Sequence, residues 1–362
     1  MSIGRDERRR SALAFVAPGT ALRDGLERIV RGNTGALIVR GCDEVVEPIC
    51  SGGFRLDAAF SATRLRELAK MDGAIILDEP GRRILRAAVQ LFPDPSLPTQ
   101  QSGTRHRTAE RVARQTGYPV ITVSKSMRTI AVFTAGERYV LEDSAALLTR
   151  AHQALATLER YKNRLDAAAA ALSALEIEDR VTAGDVALVA QRLEMVGRLT
   201  DEISGYLVEL GTDRGLLGLQ ADEITAGTRR QRELLLRDYA RRPAGLGLTT
   251  EDAVLTADRE IAGLSADQLL DLPTVAAAIG LDRASGLGEP VSAFGYRLLG
   301  QIPRLPGPVA DGLIERFGGL QKLLSASAAD LRQSAGLDQA TARSVREGLS
   351  RIAESALVEH YS

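Results

Sequence analysis

Hydrophobic positions change their spacing twice along this chain. Over the first 140 residues, short β-branched runs stand between polar stretches, at 35–40, 73–78, 119–124 and 129–133. Each is bounded by Gly, Pro or charge, as a buried strand is. Between them, 21–31, 62–71 and 105–115 follow helical spacing. Alternation of this kind predicts an α/β layer structure. Residues 133–141 read as a terminal hairpin, so a mixed sheet flanked by helices is expected rather than a purely parallel one.

The next segment is helical almost throughout. Leu148, Ala151, Leu155, Leu158, Lys162, Leu165, Ala169 and Leu172 recur at 3-4 spacing and form one stripe along a long helix. A stripe of mostly Leu and Ala predicts bundle or coiled-coil packing at close approach. Thr182-Ala-Gly-Asp185 reads as the cap of a second helix running to about Leu210, which Gly211-Thr-Asp-Arg-Gly215 breaks. A third helix is expected to end near Arg242-Pro243, and Ser265-Ala-Asp-Gln268 caps another. The polar residues scatter as they would over a solvated bundle face, which points to a spacer or oligomerisation role. Beyond Ser285-Gly-Leu-Gly-Glu-Pro290 come two helix, turn, helix patterns, 301–310 leading into 311–317 and 331–339 leading into 340–349. The expected organisation is therefore an α/β domain over 1–140, an all-α spacer over 141–285 and a small all-α domain over 286–362.

Composition narrows the class. Of 362 residues 44% are hydrophobic and 26% charged, which excludes a dominantly disordered chain, a collagen-like repeat and a membrane bundle. No apolar run approaches the roughly 20 residues that span a bilayer. The basic start imitates a signal peptide, but the apolar stretch 12–17 is cut short by Pro18-Gly19 and then by Arg23-Asp24. A cytoplasmic location with no membrane partner is the expectation. Cys42 and Cys50 are the two cysteines, and with three histidines they form no set with zinc spacing. Two free thiols are expected, with a single disulfide as the alternative. The net charge of -1 argues against a nucleic-acid partner until it is divided: +7 over 1–140, -8 over 141–285 and zero over 286–362. The balance is a cancellation between parts.

The unusual residues cluster between Lys70 and Ser126. Asp72 stands at the entrance to an apolar strand, and Gly73 after it leaves the backbone open to a ligand. A carboxylate there suits a hard cation such as Mg²⁺ or Mn²⁺; Asp-Gly is also a common turn. More specific is Gly103-Thr-Arg-His-Arg-Thr-Ala-Glu-Arg111, in which Arg105 and Arg107 flank His106, and Thr104 and Thr108 flank the arginines. The motif opens a helix, whose free amides favour anions, and the guanidinium forks and hydroxyls suit phosphate oxygens. A surface charge run capping a helix is the bland alternative. Ser124, in Val123-Ser-Lys-Ser126 at a strand end, offers a further phosphate contact or only a turn. There is no Gly-x-x-x-x-Gly-Lys-Ser/Thr loop, no dinucleotide fingerprint around Asn33 and no Gly-x-Ser-x-Gly elbow, so a phosphate site must be built from arginines.

Asp72-Gly-Ala74, Val89-Gln-Leu-Phe-Pro-Asp94 and the Gly103–Arg111 motif resemble, in order and spacing, the motifs of the diadenylate cyclase family. With its helical middle, the chain is similar over its length to the DNA-binding members of that family. The resemblance implies a nucleotidyltransferase that condenses two ATP into cyclic di-AMP with release of two pyrophosphates, at the face between two cyclase domains. Carried over to this sequence, Asp72 would hold Mg²⁺ or Mn²⁺ and help activate a 3'-hydroxyl. Gly73 and Leu91 would pack around the nucleoside. Thr104, Arg105, His106, Arg107 and Thr108 would bind phosphates, with Ser124 assisting. The resemblance also implies an octamer, for which the stripe from Leu148 is the expected part of the interface.

The C-terminal patterns resemble the helix-hairpin-helix fold, in which a Gly-containing turn lets backbone amides reach DNA phosphates. They depart from it at Val309 and Asp338, each standing where a second Gly is usual, and Asp338 marks the second hairpin as structural. Arg304, Leu305, Gly307, Arg316, Lys322, Gly336, Arg343 and Arg346 are the candidate DNA contacts, with a solvated helix face as the alternative for the charged ones. Branched or damaged DNA is the implied partner, coupling synthesis to DNA integrity. The competing function is a DNA-binding scaffold whose first domain senses nucleotide without turning it over.

Overall fold

A computed structural model describes residues 3–240, 250–281, 286–335 and 337–361. The chain forms two compact units, Met1–Gln153 with Glu202–Leu219, and Ala154–Asp201 with Gln220–Ser362.

The first unit is built on one mixed sheet. Its helices are α1 (Ile3–Phe15), α2 (Ala21–Arg31), α3 (Ala62–Leu68) and α4 (Thr104–Thr116). Its strands are β1 (Ala36–Arg40), β2 (Cys50–Ser51), β3 (Phe54–Ala59), β4 (Ala74–Leu77), β5 (Arg83–Leu91), β6 (Val120–Ser124), β7 (Thr129–Thr134) and β8 (Glu137–Val140). The order across the sheet is β2-β5-β4-β1-β6-β7-β8, with β3 also on β5. Only β1 and β4 run parallel, in register Ile38↔Ile75, among the paired strands. Alternate residues of these strands face opposite layers. Ile38, Ile75 and Ile121 join Leu22, Leu26 and Leu65 under α2 and α3. Leu37, Val39, Ile76 and Phe133 join Val112 of α4 on the other face. Both faces are covered, which is why β1 and β4 read as continuous apolar runs.

Three elements depart from the sequence expectation. The basic opening folds as α1, and β3 and β5 are strands without an apolar run. Phe54, Leu56 and most of β3 are exposed, so that strand exists through its ladder with β5 rather than through burial. Within β5 the buried Ile84, Ala87 and Val89 are interleaved with Arg83, Arg86 and Gln90, and a register shift leaves Ala88 at φ 54.

The helical remainder comprises α5 (Ser144–Ile177), α6 (Ala183–Leu210), α7 (Leu217–Ile224), α8 (Thr228–Tyr239), α9 (Thr250–Gly263), α10 (Ala266–Leu270) and α11 (Leu272–Ala278). There follow α12 (Tyr296–Leu299), α13 (Gly307–Phe317), α14 (Leu320–Ser325), α15 (Ala328–Ala335) and α16 (Gln339–Tyr361). The expected caps form: Asp185 accepts from Thr182 N at 2.9 Å and Thr182 Oγ1 at 2.6 Å, and Ser265 with Gln268 closes a reciprocal box. The expected third helix is two, α7 and α8, divided at Gly227 with φ 77. Its expected end near Arg242-Pro243 lies outside the described residues, as do Ser285 and Gly336. The first expected turn is that between α12 and α13; the second falls on Gly336, outside the described residues.

Two expectations for the helical segment are corrected. Most of the stripe along α5, Ala151, Leu155, Leu158, Leu165 and Leu172, is buried within the chain itself, so these residues are core and not a free interchain surface, while Leu148, Lys162 and Ala169 are half-buried. Nor are the polar residues all solvated. Glu176, Asp238 and Arg297 are buried together. Arg297 Nη1 donates to Glu176 Oε1 at 2.6 Å, and Tyr239 Oη donates to the same oxygen at 2.6 Å. Asp238 accepts from the N–H groups of Gly295, Tyr296 and Arg297 at 2.6–2.7 Å and so anchors the start of α12. Burial, and then the Glu176 carboxylate, push the Asp238 carboxyl up to about 7.

Candidate nucleotide site

The site is assembled at the N-terminus of α4. Gly103 caps that helix in an extended conformation without a side-chain cap, and Arg107 N donates to Gly103 O at 2.9 Å. The amides of the first turn therefore have no acceptor within the helix. No acidic residue stands in that turn, while Arg105 and Arg107 do. Positive side chains at the positive end of a helix dipole oppose each other, and a bound anion relieves both. The helix is fixed from behind by buried Glu110, which accepts from Thr99 Oγ1 at 2.6 Å, Gln100 N at 3.2 Å and Arg114 Nη2 at 2.7 Å.

Two clefts meet at this turn and share Thr104 and Arg105. One, of about 780 Å³, is lined by Asn33, Gly103, His106 and the strand end Val123–Ser126. The other, of about 260 Å³, is lined by Asp72, Gly73, Leu91, Phe92 and Thr108 among others. Arg105 thus stands between a hydroxyl-rich cleft and a carboxylate-bearing one. Its Nη2 lies 3.6 Å from Asp72 Oδ1, and the Asp72 side chain is otherwise fully exposed.

His106 belongs to the larger cleft. Its ring meets Phe133 edge-on at 6.3 Å, and its Nε2 is buried without a partner among the described residues. Burial first, then Arg138 and Arg105, holds the ring below the usual histidine range, so it is neutral at pH 7. Ser124, nearly buried, accepts from Met127 N at 3.3 Å, with Ser126 Oγ at 3.4 Å.

Gly73 has φ 110, and a Cβ there would stand 2.6 Å from the backbone of Ala88. This position requires glycine for close packing against the β5 irregularity as well as for ligand access. Of the residues expected from the sequence, Asp72, Gly73, Leu91, Thr104, Arg105, His106, Thr108 and Ser124 line the clefts. Arg107 is exposed and lines neither.

Asn33 and Gly35 were not anticipated. Asn33, at φ 51, comes from the Gly-Asn-Thr-Gly segment that fits no dinucleotide fingerprint. A Cβ on Gly35 would collide with the Arg105 guanidinium. Arg138 of β8 reaches the site through Gln101 Oε1 at 3.4 Å. The glycines and asparagine preceding β1 were the available signal; nothing local marks Arg138.

Among the described residues no group of three or more His, Cys, Asp or Glu is placed to hold a metal by itself. The donor set at Asp72 is one exposed carboxylate beside an anion-binding helix end. That fits a hard cation bound by one carboxylate together with substrate phosphates, the usual arrangement for Mg²⁺.

In the C-terminal helices Arg304, Gly307, Arg316, Lys322 and Arg343 are exposed, and Leu305 is half-buried. Arg304 takes φ 62 in the turn before α13. Arg346 instead donates to Leu324 O at 2.7 Å. Asp338 caps α16, accepting from Thr341 N at 2.9 Å and Thr341 Oγ1 at 2.8 Å. These bonds hold its carboxyl below the usual range. Gly336 lies outside the described residues.

A mixed sheet whose α4 terminus presents free amides, arginine and threonine to a cleft defines a nucleotide-binding domain. Residues 23–138 match the DAC model, the DisA bacterial checkpoint controller nucleotide-binding family, and 141–287 match the linker region of the same controller. The chain is 60% identical to the DNA integrity scanning protein DisA of Acidothermus cellulolyticus, over 99% of this chain and 96% of that one. It is 58% identical to the DisA of Streptomyces coelicolor, over 99% and 96%, and 59% identical to that of Frankia alni, over 97% and 97%. The chain belongs to the DisA family. No helix among the described residues is long and apolar enough to cross a membrane.

Proposed function

We propose that this chain is a diadenylate cyclase that condenses two ATP into cyclic di-AMP and two pyrophosphates. The observation that carries the reading is Arg105, shared by both clefts and 3.6 Å from Asp72. The triphosphate lies over the α4 terminus, on its free amides, Thr104, Arg105, His106 and Thr108, with Ser124 assisting and Arg107, outside both clefts, contributing charge at longer range. The nucleoside packs at Gly73 and Leu91. A neutral His106 offers one donor and one acceptor to phosphate or ribose without adding a third charge.

Asp72 would hold Mg²⁺ or Mn²⁺, which supplies neutralisation of phosphate charge and acidifies the attacking hydroxyl. Each 3'-oxygen forms a bond to the α-phosphorus of the other ATP, the bond to pyrophosphate breaks, and the hydroxyl proton is lost to solvent. Asp72 is exposed at the rim, so its substrate hydroxyl is brought by a nucleotide on a facing copy. Phosphoryl transfer rests on positioning and charge neutralisation, which these residues supply. The assembly is an octamer, and the turn between α12 and α13, with Arg304 and Gly307, together with Arg316 at the far end of α13, binds branched or damaged DNA and ties synthesis to DNA integrity. A cytoplasmic location follows from those partners.

The test is mass spectrometry of the product after incubation with ATP and either metal, with and without branched DNA. Wild type is expected to form cyclic di-AMP, and Asp72→Asn to form none while melting at the same temperature. ATP bound but returned unchanged by wild type would replace this reading with that of a nucleotide-sensing scaffold.

A further inference from the structure

A second cavity, of about 550 Å³, lies far along the chain from the nucleotide clefts, among α5, α6, α8, α12 and α16. Its size falls in the range of small-molecule sites. Leu165, Val189 and Leu193 give it an apolar, buried floor. Its mouth carries Arg230 and Arg351, both exposed and neither with an ion-pair partner among the described residues. The other charges on the wall are compensated. Arg297 is paired with Glu176 at 2.6 Å, and Asp166 with Lys162 at 2.6 Å.

The start of α8 adds to the imbalance. Gly227 lines the cavity and caps that helix with no side-chain hydrogen bond, and the first turn holds Arg229 and Arg230 with no acidic residue. An apolar trough ending at two uncompensated guanidiniums and an uncapped helix terminus is complementary to one kind of molecule.

We infer that this cavity binds a small organic anion with an apolar body, its anionic group between Arg230 and Arg351 and its body on Leu165, Val189 and Leu193. Such a ligand bridges α5 and α8 to α12 and α16, and so stiffens the junction between the linker helices and the C-terminal helices.

The probe is 8-anilinonaphthalene-1-sulfonate titrated into the full-length protein, followed by fluorescence, with uncharged N-phenyl-1-naphthylamine as its partner. One sulfonate dye per chain is expected. The double substitution Arg230→Gln, Arg351→Gln is expected to weaken it about 10²-fold, the scale of two lost charge-assisted contacts, while leaving the neutral dye unchanged. Ala170→Phe, at an exposed position of α5 on the cavity wall, is expected to remove both dyes. If that variant loses its circular dichroism signal, Ser355→Phe fills the same space from α16. Sulfonate binding that survives a folded filling variant, or arginine substitutions that affect both dyes equally or neither, would overturn the assignment.

Discussion

Gly35 has no chemistry of its own, yet the space above it is where the Arg105 guanidinium lies, with Val123 O also close by. Its backbone is not in the left-handed region and the far end of a flexible arginine can move aside, while a Cβ would also press on the Val123 carbonyl at 3.2 Å, so Gly35→Ala carries a modest stability cost. Moving it takes the shared cation out of both clefts. The expected outcome is a loss of cyclase rate of about 10²-fold, the scale of one misplaced charge-stabilising group, in a protein that still unfolds cooperatively. An active Gly35→Ala enzyme would mean that Arg105 works from another position. His106 gives a second test at the same scale. Its folded pKa lies below the unfolded value of about 6.5, so the unfolded chain binds a proton that the folded one refuses. Stability from the neutral ring is fully present above about pH 6.5 and is lost as pH falls from there through the folded value. Melting temperatures measured from pH 8 to pH 5 are expected to fall in wild type and to fall less in His106→Gln; parallel curves would detach the effect from His106.

At the scale of elements, the least legible feature is also the most consequential for stability. Glu176 closes α5, Asp238 ends α8 and Arg297 lies in α12, with sequence separations of 121 and 59 residues from Arg297. No local pattern distinguishes these from surface charges, and the helical segment reads as evenly solvated for that reason. Removing one partner of a buried ion pair leaves an uncompensated charge, which costs about 3–5 kcal/mol. Arg297→Met is expected to lower urea unfolding stability by that amount, since Glu176 Oε2 already has no partner. A loss under about 1 kcal/mol, the worth of an exposed pair, would show the cluster to be solvated. Strands follow the same logic in reverse. The runs at β1, β4, β6 and β7 are legible because both their faces are buried. By contrast β3 is held by its ladder with β5 and by arginine contacts, Arg86 donating to Gly52 O at 2.7 Å and Arg83 to Asp57, which leave no apolar signature, and in β5 the buried Ile84, Ala87 and Val89 are interrupted by Arg86 and the irregular Ala88. In the site, Thr104 to Thr108 are legible because they are consecutive at one helix start. Asn33, Gly35 and Arg138 are not, because it is the order β1-β6-β7-β8 that brings their ends to α4.

For the whole molecule, the net charge of -1 conceals a basic nucleotide domain joined to an acidic helical one, and the proposed reaction demands more than one copy of either. A single chain offers one Arg105, one Asp72 and one set of helix amides, enough to present one ATP. Two bonds must form to close the cyclic product, and each draws on the Asp72 of one copy. The two steps can therefore be separated by mixing. In an assembly of wild type with Asp72→Asn, a facing pair of unlike copies retains one competent carboxylate. It should make the first bond, releasing one pyrophosphate, and stall before the second. Denaturing and refolding equal amounts of the two together is expected to give cyclic product at about one quarter of the wild-type rate, the fraction of like wild-type pairs under random pairing, together with linear triphosphorylated diadenylate that wild type alone does not accumulate. Separately refolded proteins mixed afterwards should give half the wild-type rate and no linear species. Half the rate without linear product in the co-refolded sample would place both bonds within one chain, and the exposed position of Asp72 would then need another explanation than a facing partner.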